Sequence, residues 1–306
     1  MIVTSKSREL RLSAASGLVR VGNQHYILAD DAHDLACLPT GKSNRHNRGD
    51  LIRLLPGTLP AKPKQRKAAK PDFEALVLLP AFSRFPHGAL LVLGSGSRPN
   101  RQAAVLLALE KKGNVTGKPI LFDFADFYRC LRLHVGALNI EGAVAAGGAL
   151  RLFNRGNKGS ANQVIEMELP PLLAALSARN PIYLGLTLRI REYDLGAVAG
   201  VPLCFTDAAP LLSGAYKGGV VFTAVAEDTD NSYDDGGCLG SAVGVMRQDG
   251  SIAFIEPLDK PLKVEGVDAR VKIKGAKQVI KLRMVTDADD PKVPAMLVKA
   301  EFEMES

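Results

Sequence analysis

A short string, an acid or hydroxyl followed by a small residue and then an apolar one, recurs five times along this chain. The copies are Ser16-Gly17-Leu18, Glu74-Ala75-Leu76, Glu141-Gly142-Ala143, Asp207-Ala208-Ala209 and Glu265-Gly266-Val267, separated by steps of 58, 67, 66 and 58 residues. Each copy opens a strand-like run, and a second run follows that ends in polar residues, such as Asp30-Asp31 or Asn154-Arg155. A repeat of this period, made of strands and turns with little helix, predicts a radial array of small sheets. The expected fold is therefore all-β: one five-bladed β-propeller with four strands per blade. Its blades are read as 15–57, 72–124, 139–195, 201–258 and 263–306, the last completed by residues 6–14. Only three strands are legible in the fifth repeat, while Glu9–Ala14 is a strand without a partner at the other end of the chain. Pairing the two closes the ring and covers both sheet edges. Ala125–Val135 and Pro171–Arg179 read as helical insertions, and 58–71 as a flexible loop. A two-sheet sandwich with a second domain would account for the strands but not for the phased acids.

Composition narrows the function classes. The chain has 306 residues, 46% hydrophobic and 23% charged, with no apolar run long enough to span a bilayer, so no membrane partner is expected. Met1–Leu12 lacks the apolar core of a secretion leader, and Cys37, Cys130, Cys204 and Cys238 are scattered without a CxxC pair. Cytoplasmic residence with free thiols is the expectation. The net charge of +7 resides largely in Lys42–Arg48 and Lys62–Lys70, neither of which carries an aromatic residue for base stacking. Both read as solvated loops, so no nucleic-acid partner is expected, and the chain is taken as a monomer.

In a propeller the first strand of each blade lines the central channel, so the five repeated positions converge. Four carboxylates at one mouth repel unless protonated or bound to a cation. Ser16, Glu74, Glu141, Asp207 and Glu265 are accordingly the candidate metal ligands, beside the small residues Gly17, Ala75, Gly142, Ala208 and Gly266 that the crowded axis demands. Oxygen donors without His or Cys select a hard cation, Ca2+ ahead of Mg2+ or Mn2+. The second-strand ends form an outer ring. There Asp30 and Asp31 are candidates to position a water, with His33 nearby as a general base. Ser97, Arg98, Asn154, Arg155, Glu227 and Asp287 are candidates to surround a small anionic ligand, because arginine forks bind phosphate bidentately. No motif for covalent catalysis is present, so any chemistry would be metal-assisted attack by water.

The opening segment SGLVRVGNQHYILADD, residues 16–31, resembles the first blade of the soluble calcium-activated nucleotidases, or apyrases. That family implies a five-bladed propeller with a central calcium held by alternating serine and glutamate ligands. Ser16, Glu74, Glu141 and Glu265 match the alternation, and Asp207 replaces a serine. The segments DFEAL, NIEGA and VTDADDP are also similar to bacterial phytase-like and esterase-like propellers. After the paired aspartates, Ala32-His33-Asp34 stands where the nucleotidases have arginine, threonine and glycine. Two readings of function follow: a calcium-dependent phosphohydrolase or esterase, and a non-catalytic propeller in which the ion is a structural pin and the upper loops bind a ligand or protein.

Overall fold

A computed structural model describes residues 1–40, 49–156, 160–179, 187–228, 237–275 and 277–305. The basic run Lys42–Arg48 lies outside them. Five antiparallel sheets surround one axis. The chain begins with strand β1 (Thr4–Glu9) and then builds blade one from β2 (Ala15–Val21), β3 (Gln24–Ala29), β4 (Asp34–Pro39) and β5 (Asp50–Arg53). A short helix, α1 (Pro63–Ala69), leads to blade two: β6 (Phe73–Leu79), β7 (Ala89–Gly94), β8 (Ala103–Leu109) and β9 (Val115–Asp123). Helix α2 (Ala125–Arg132) precedes blade three, made of β10 (Ile140–Ala146), β11 (Ala149–Asn154), β12 (Asn162–Glu168) and β13 (Leu188–Tyr193). Helix α3 (Leu169–Ala178) is inserted between its last two strands. Blade four carries an extra strand, β14 (Ala197–Val198), before β15 (Val201–Pro210), β16 (Val220–Asp228), β17 (Gly237–Met246) and β18 (Ile252–Pro257). Blade five comprises β19 (Val264–Lys274), β20 (Lys277–Thr286), β21 (Met296–Glu305) and, outermost, β1.

The innermost strands β2, β6, β10, β15 and β19 touch in that order, and β19 returns to β2, so the ring is closed. The β1–β21 pairing is the expected closure, set a few residues earlier than Glu9–Ala14. The shift has a local cause: Ala14 takes a φ of 52°, which breaks extension where the chain turns from blade five into blade one.

Alternation along each strand sends apolar side chains to both neighbouring blades, and five buried clusters result, one per blade interface. The largest lies between blades two and three, where Phe127, Tyr128 and Leu131 of α2 and Leu172 and Leu176 of α3 extend it. The smallest joins blade five to blade one through Leu18, Ile27, Val285 and Leu297. Pro119 is accommodated in β9 because that strand is an outer edge with no further partner. Residues 58–71, expected as a flexible loop, instead contain α1, which starts on Pro63 and buries none of its side chains. Among the described residues no helix is long and apolar enough to cross a membrane.

Candidate functional site: a ring of bulged residues at the channel mouth

Each inner strand bears a β-bulge, near its start in four blades and midway along the longer β15 in blade four, and the extra residue falls at the equivalent place in every blade. Ala15 faces Ala29 and Gly17 faces Leu28, which leaves Ser16 unpaired. The same slip leaves out Glu74, Glu141 and Glu265. In blade four the slip lies between Phe205 and Asp207, so the equivalent residue is Thr206. A bulge re-aims the side chain it frees. The ring of equivalent residues is therefore Ser16, Glu74, Glu141, Thr206 and Glu265, and the expectation for Asp207 is corrected by one position.

The two hydroxyls act alike. Ser16 Oγ donates to the Phe73 carbonyl at 2.6 Å and Thr206 Oγ1 to the Val264 carbonyl at 2.7 Å. Each thus ties its blade to the residue just before the glutamate of the next.

Asp207 occupies the position held elsewhere by Gly17, Ala75, Gly142 and Gly266. Space there is scarce: a Cβ on Gly142 would come within 2.7 Å of Asp207 Cα, and one on Gly266 within 2.8 Å of the Gly17 carbonyl carbon. Because its four counterparts are small, the Asp207 side chain fits across the axis. Only 1% exposed, it accepts from the Val267 amide at 2.8 Å. Burial raises its pKa well above the ordinary aspartate value, although the amides of Val267, Ala208 and Leu18 oppose the shift. Those amides belong to blades five, four and one. Asp207 is thus an axial plug below the mouth, and Ala208 is not the axis-lining small residue.

Above it the three glutamates share a crowded electrostatic field. Burial raises the pKa of each, and Glu141 raises Glu74 and Glu265 further. Three cations stand among them. Arg155 pairs with Glu227 and lies 3.8 Å from Glu141 Oε2. Lys263 lies 3.5 Å from Glu227, 3.7 Å from Glu265 and 2.5 Å from Asp289. Lys70 pairs with Asp30 and, at 2.9 Å, with Asp72, which also accepts from Arg101 at 2.7 Å and Ser95 at 2.6 Å. Oxygens of Asp30, Asp72 and Glu74 lie within 4.8 Å of one another. Glu265 Oε1 and Asp30 Oδ1 are buried without a hydrogen-bond partner. Burial pushes Asp30 up to about 7, with Lys70 opposing and Asp72 adding to the shift.

The outer-ring candidates divide. Arg155, Glu227 and Asp30 join the glutamates at the mouth, and the Asp287 amide binds the Lys263 carbonyl at 3.0 Å beside them. Asp31 turns away, accepting from Arg66 of α1 at 2.8 Å. Arg98 is exposed, and the buried arginine of that loop is Arg101, which donates to Ser97 at 3.1 Å. Asn154 is absorbed structurally: its Oδ1 accepts from the Asn139 amide and its Nδ2 donates to the Ala137 carbonyl. His33 lies 3.4 Å from the Gly57 carbonyl, away from the glutamates.

Sequence reasoning missed Thr206, Lys70, Asp72, Arg101 and Lys263. A signal existed for three of them. Each bulge follows a buried apolar residue (Ala15, Phe73, Ile140, Phe205, Val264), a template that selects Thr206 over Asp207. Asp72 and Lys263 stand two residues before a ring glutamate, where strand alternation returns a side chain to the same face.

A cleft of about 460 Å³ opens beside the mouth, lined by Asp30, Asp31, Arg66, Lys67, Lys70 and Asp287 among others. A larger one, about 740 Å³, lies between blades three and four next to Arg155, Glu227, Asn162, Tyr193 and Cys204.

No curated protein matches this chain. Solved structures with a similar course include a member of the DUF4221 family from Bacteroides vulgatus, at 9% identity and a TM-score of 0.33, covering 93% of this chain and 76% of that one. The subtype N10 neuraminidase-like protein of A/little yellow-shouldered bat/Guatemala gives 10% and 0.34, with 96% and 79% covered. AztD of Citrobacter koseri gives 8% and 0.27, with 95% and 75% covered. Likenesses this distant do not bear on function. One protein-family model spans residues 11–302, and its description is a family of unknown function, DUF6929.

Proposed function

The chain belongs to that family of unknown function, and from the geometry of its mouth we propose that it is a cation-binding propeller. In this reading Glu74, Glu141 and Glu265 hold one hard divalent ion, with Ser16 and Thr206 supplying hydroxyl oxygens. The observation that carries the proposal is the placement of three glutamates at equivalent bulges, Glu141 and Glu265 buried and Glu74 half-buried, whose charged forms are disfavoured by burial and, at Glu74 and Glu265, by Glu141 as well. Such groups take up protons or a metal. An all-oxygen donor set suits calcium, with magnesium and manganese behind it. One feature supports the fit: the buried Glu265 Oε1 atom has no hydrogen-bond partner.

The ion serves as a structural pin in this account, and the upper cleft is the ligand site. The pairing of Asp30 with Lys70 and of Asp31 with Arg66 favours this reading over the phosphohydrolase, because both carboxylates are already engaged. Arg66, Lys67 and Lys70 would face a small anionic ligand in the cleft. Thermal unfolding with calcium and with chelator tests the pin: at a hundredfold excess over Kd an ion bound only by the folded state adds about 2.7 kcal/mol. Phosphate release from nucleoside diphosphates and simple phosphomonoesters separates the two roles. Calcium-dependent turnover lost in Glu141→Gln would establish the phosphohydrolase. Stabilisation by calcium without turnover supports the pin.

A further inference from the structure

The seam where the ring closes, between blades five and one, changes character partway down. Its upper layers are apolar: Leu18 and Ile27 from blade one face Val285 and Leu297 from blade five. One step lower on each strand the row becomes charged. Arg20 stands across from His25 in blade one, and Asp268, Arg283 and Lys299 are cross-strand neighbours in blade five. Arg270 lies one alternation further along β19, in the row of the Lys281–Glu301 ion pair (2.7 Å), whose Glu301 carboxylate also acts on Arg283. Asp268 is the acid at the centre of this row, and Arg270, Arg20 and Arg283 all act on it. The arginines are close enough to disfavour one another's charge: Arg20 is lowered by burial, then by Arg270 and Arg283.

His25 supplies an independent observation. It is 4% exposed, its Nε2 is buried, and that nitrogen has no hydrogen-bond partner. Burial, followed by Arg20, Arg283, Arg270 and Lys299, holds the ring neutral, with a pKa near 4. A buried ring nitrogen without a partner normally costs free energy, and a surplus of guanidinium groups around one carboxylate costs more. A single bound oxyanion relieves both.

We propose that this seam is a binding site for a compact multivalent oxyanion of the phosphate class, gripped by Arg20, Arg270 and Arg283 and hydrogen-bonded by His25. Guanidinium forks match the oxygens of a tetrahedral anion, and an imidazole N–H adds a donor from below. The site lies well down the blades from the glutamate ring and carries the opposite charge, so it does not depend on the cation proposed there. Its position gives it a role in closure, because the anion would bridge the only blade pair joined from the two ends of the chain.

The test is a titration of the full chain with inorganic pyrophosphate, and in parallel with inorganic phosphate, at ionic strength held constant with potassium chloride. Proton NMR of the His25 ring is the readout. The expected result is saturable binding that raises the His25 pKa from near 4 by at least a unit. Arg270→Gln, an exposed and structurally mild change, should weaken that binding about tenfold, the loss of one charge-assisted contact. Arg20→Gln should do the same, and thermal unfolding reports whether it folds. A His25 shift reproduced by chloride alone, or pyrophosphate affinity unchanged in Arg270→Gln, would overturn the proposal. So would pyrophosphate failing to bind while double-stranded DNA shifts His25, which would indicate a nucleic-acid surface.

Discussion

Thr206 shows how one residue sets the register of a site. The string Asp207-Ala208-Ala209 satisfies the repeated pattern as written, yet the bulge frees the residue before it. A bulge inserts one residue on one strand only, so composition and spacing cannot locate it to the residue. The hydroxyl has structural work: it reaches the Val264 carbonyl and Thr223 Oγ1 in a fully buried place. Thr206→Val should therefore cost about 1–3 kcal/mol in urea unfolding, while Thr206→Ser should keep most of that stability. The acids make a second prediction at this scale. Asp207 and the ring glutamates have raised pKa values in the folded chain, and Asp30 sits near 7. The folded state then holds more protons than the unfolded one above the ordinary carboxylate range, so these groups make metal-free stability fall as pH rises from about 4 towards 7. Unfolding midpoints across that window should show this slope, and Glu74→Gln with Glu141→Gln should flatten it. A metal-free midpoint that rises with pH would contradict the burial of these acids.

At the scale of elements, the strands were legible because alternation and turn residues mark them, and α2 and α3 because each presents apolar residues to a core. Helix α1 carries neither mark. Its sequence, PKQRKAA, has no apolar face, and its order comes from ion pairs with residues over thirty positions away: Arg66 with Asp31 and, just past its end, Lys70 with Asp30. Local propensity does not encode such partners, which is why the segment reads as a loop. The Arg66–Asp31 pair is half in solvent and worth about 0–1 kcal/mol. Asp31→Ala should therefore raise amide exchange across 63–70 without moving the global unfolding midpoint. A cooperative loss of stability in that variant would show that α1 is integral to the core.

For the whole molecule, ring closure is the feature that the repeat period and the missing twentieth strand made readable in advance. What the repeat could not supply is Lys70, which arrives from the segment just past α1, outside the repeated string; Arg155 was legible as the end of a second strand, and Lys263 only from its spacing to Glu265. Closure itself depends on the first few residues: β1 covers the edge of β21, and the Ile2 amide binds the Pro257 carbonyl of blade four at 2.8 Å. Removing residues 1–9 should lower the unfolding temperature sharply and promote association through the bared β21 edge, seen by light scattering. The central claim concerns the mouth, and calorimetric titration of chelator-treated protein with calcium near neutral pH addresses it most directly. One ion per chain should bind to the unaltered protein, and Glu141→Gln should weaken that binding at least tenfold while leaving the far-UV circular dichroism unchanged. Absence of binding, or equal binding by Glu141→Gln, would mean that Arg155, Lys263 and bound protons alone balance the ring.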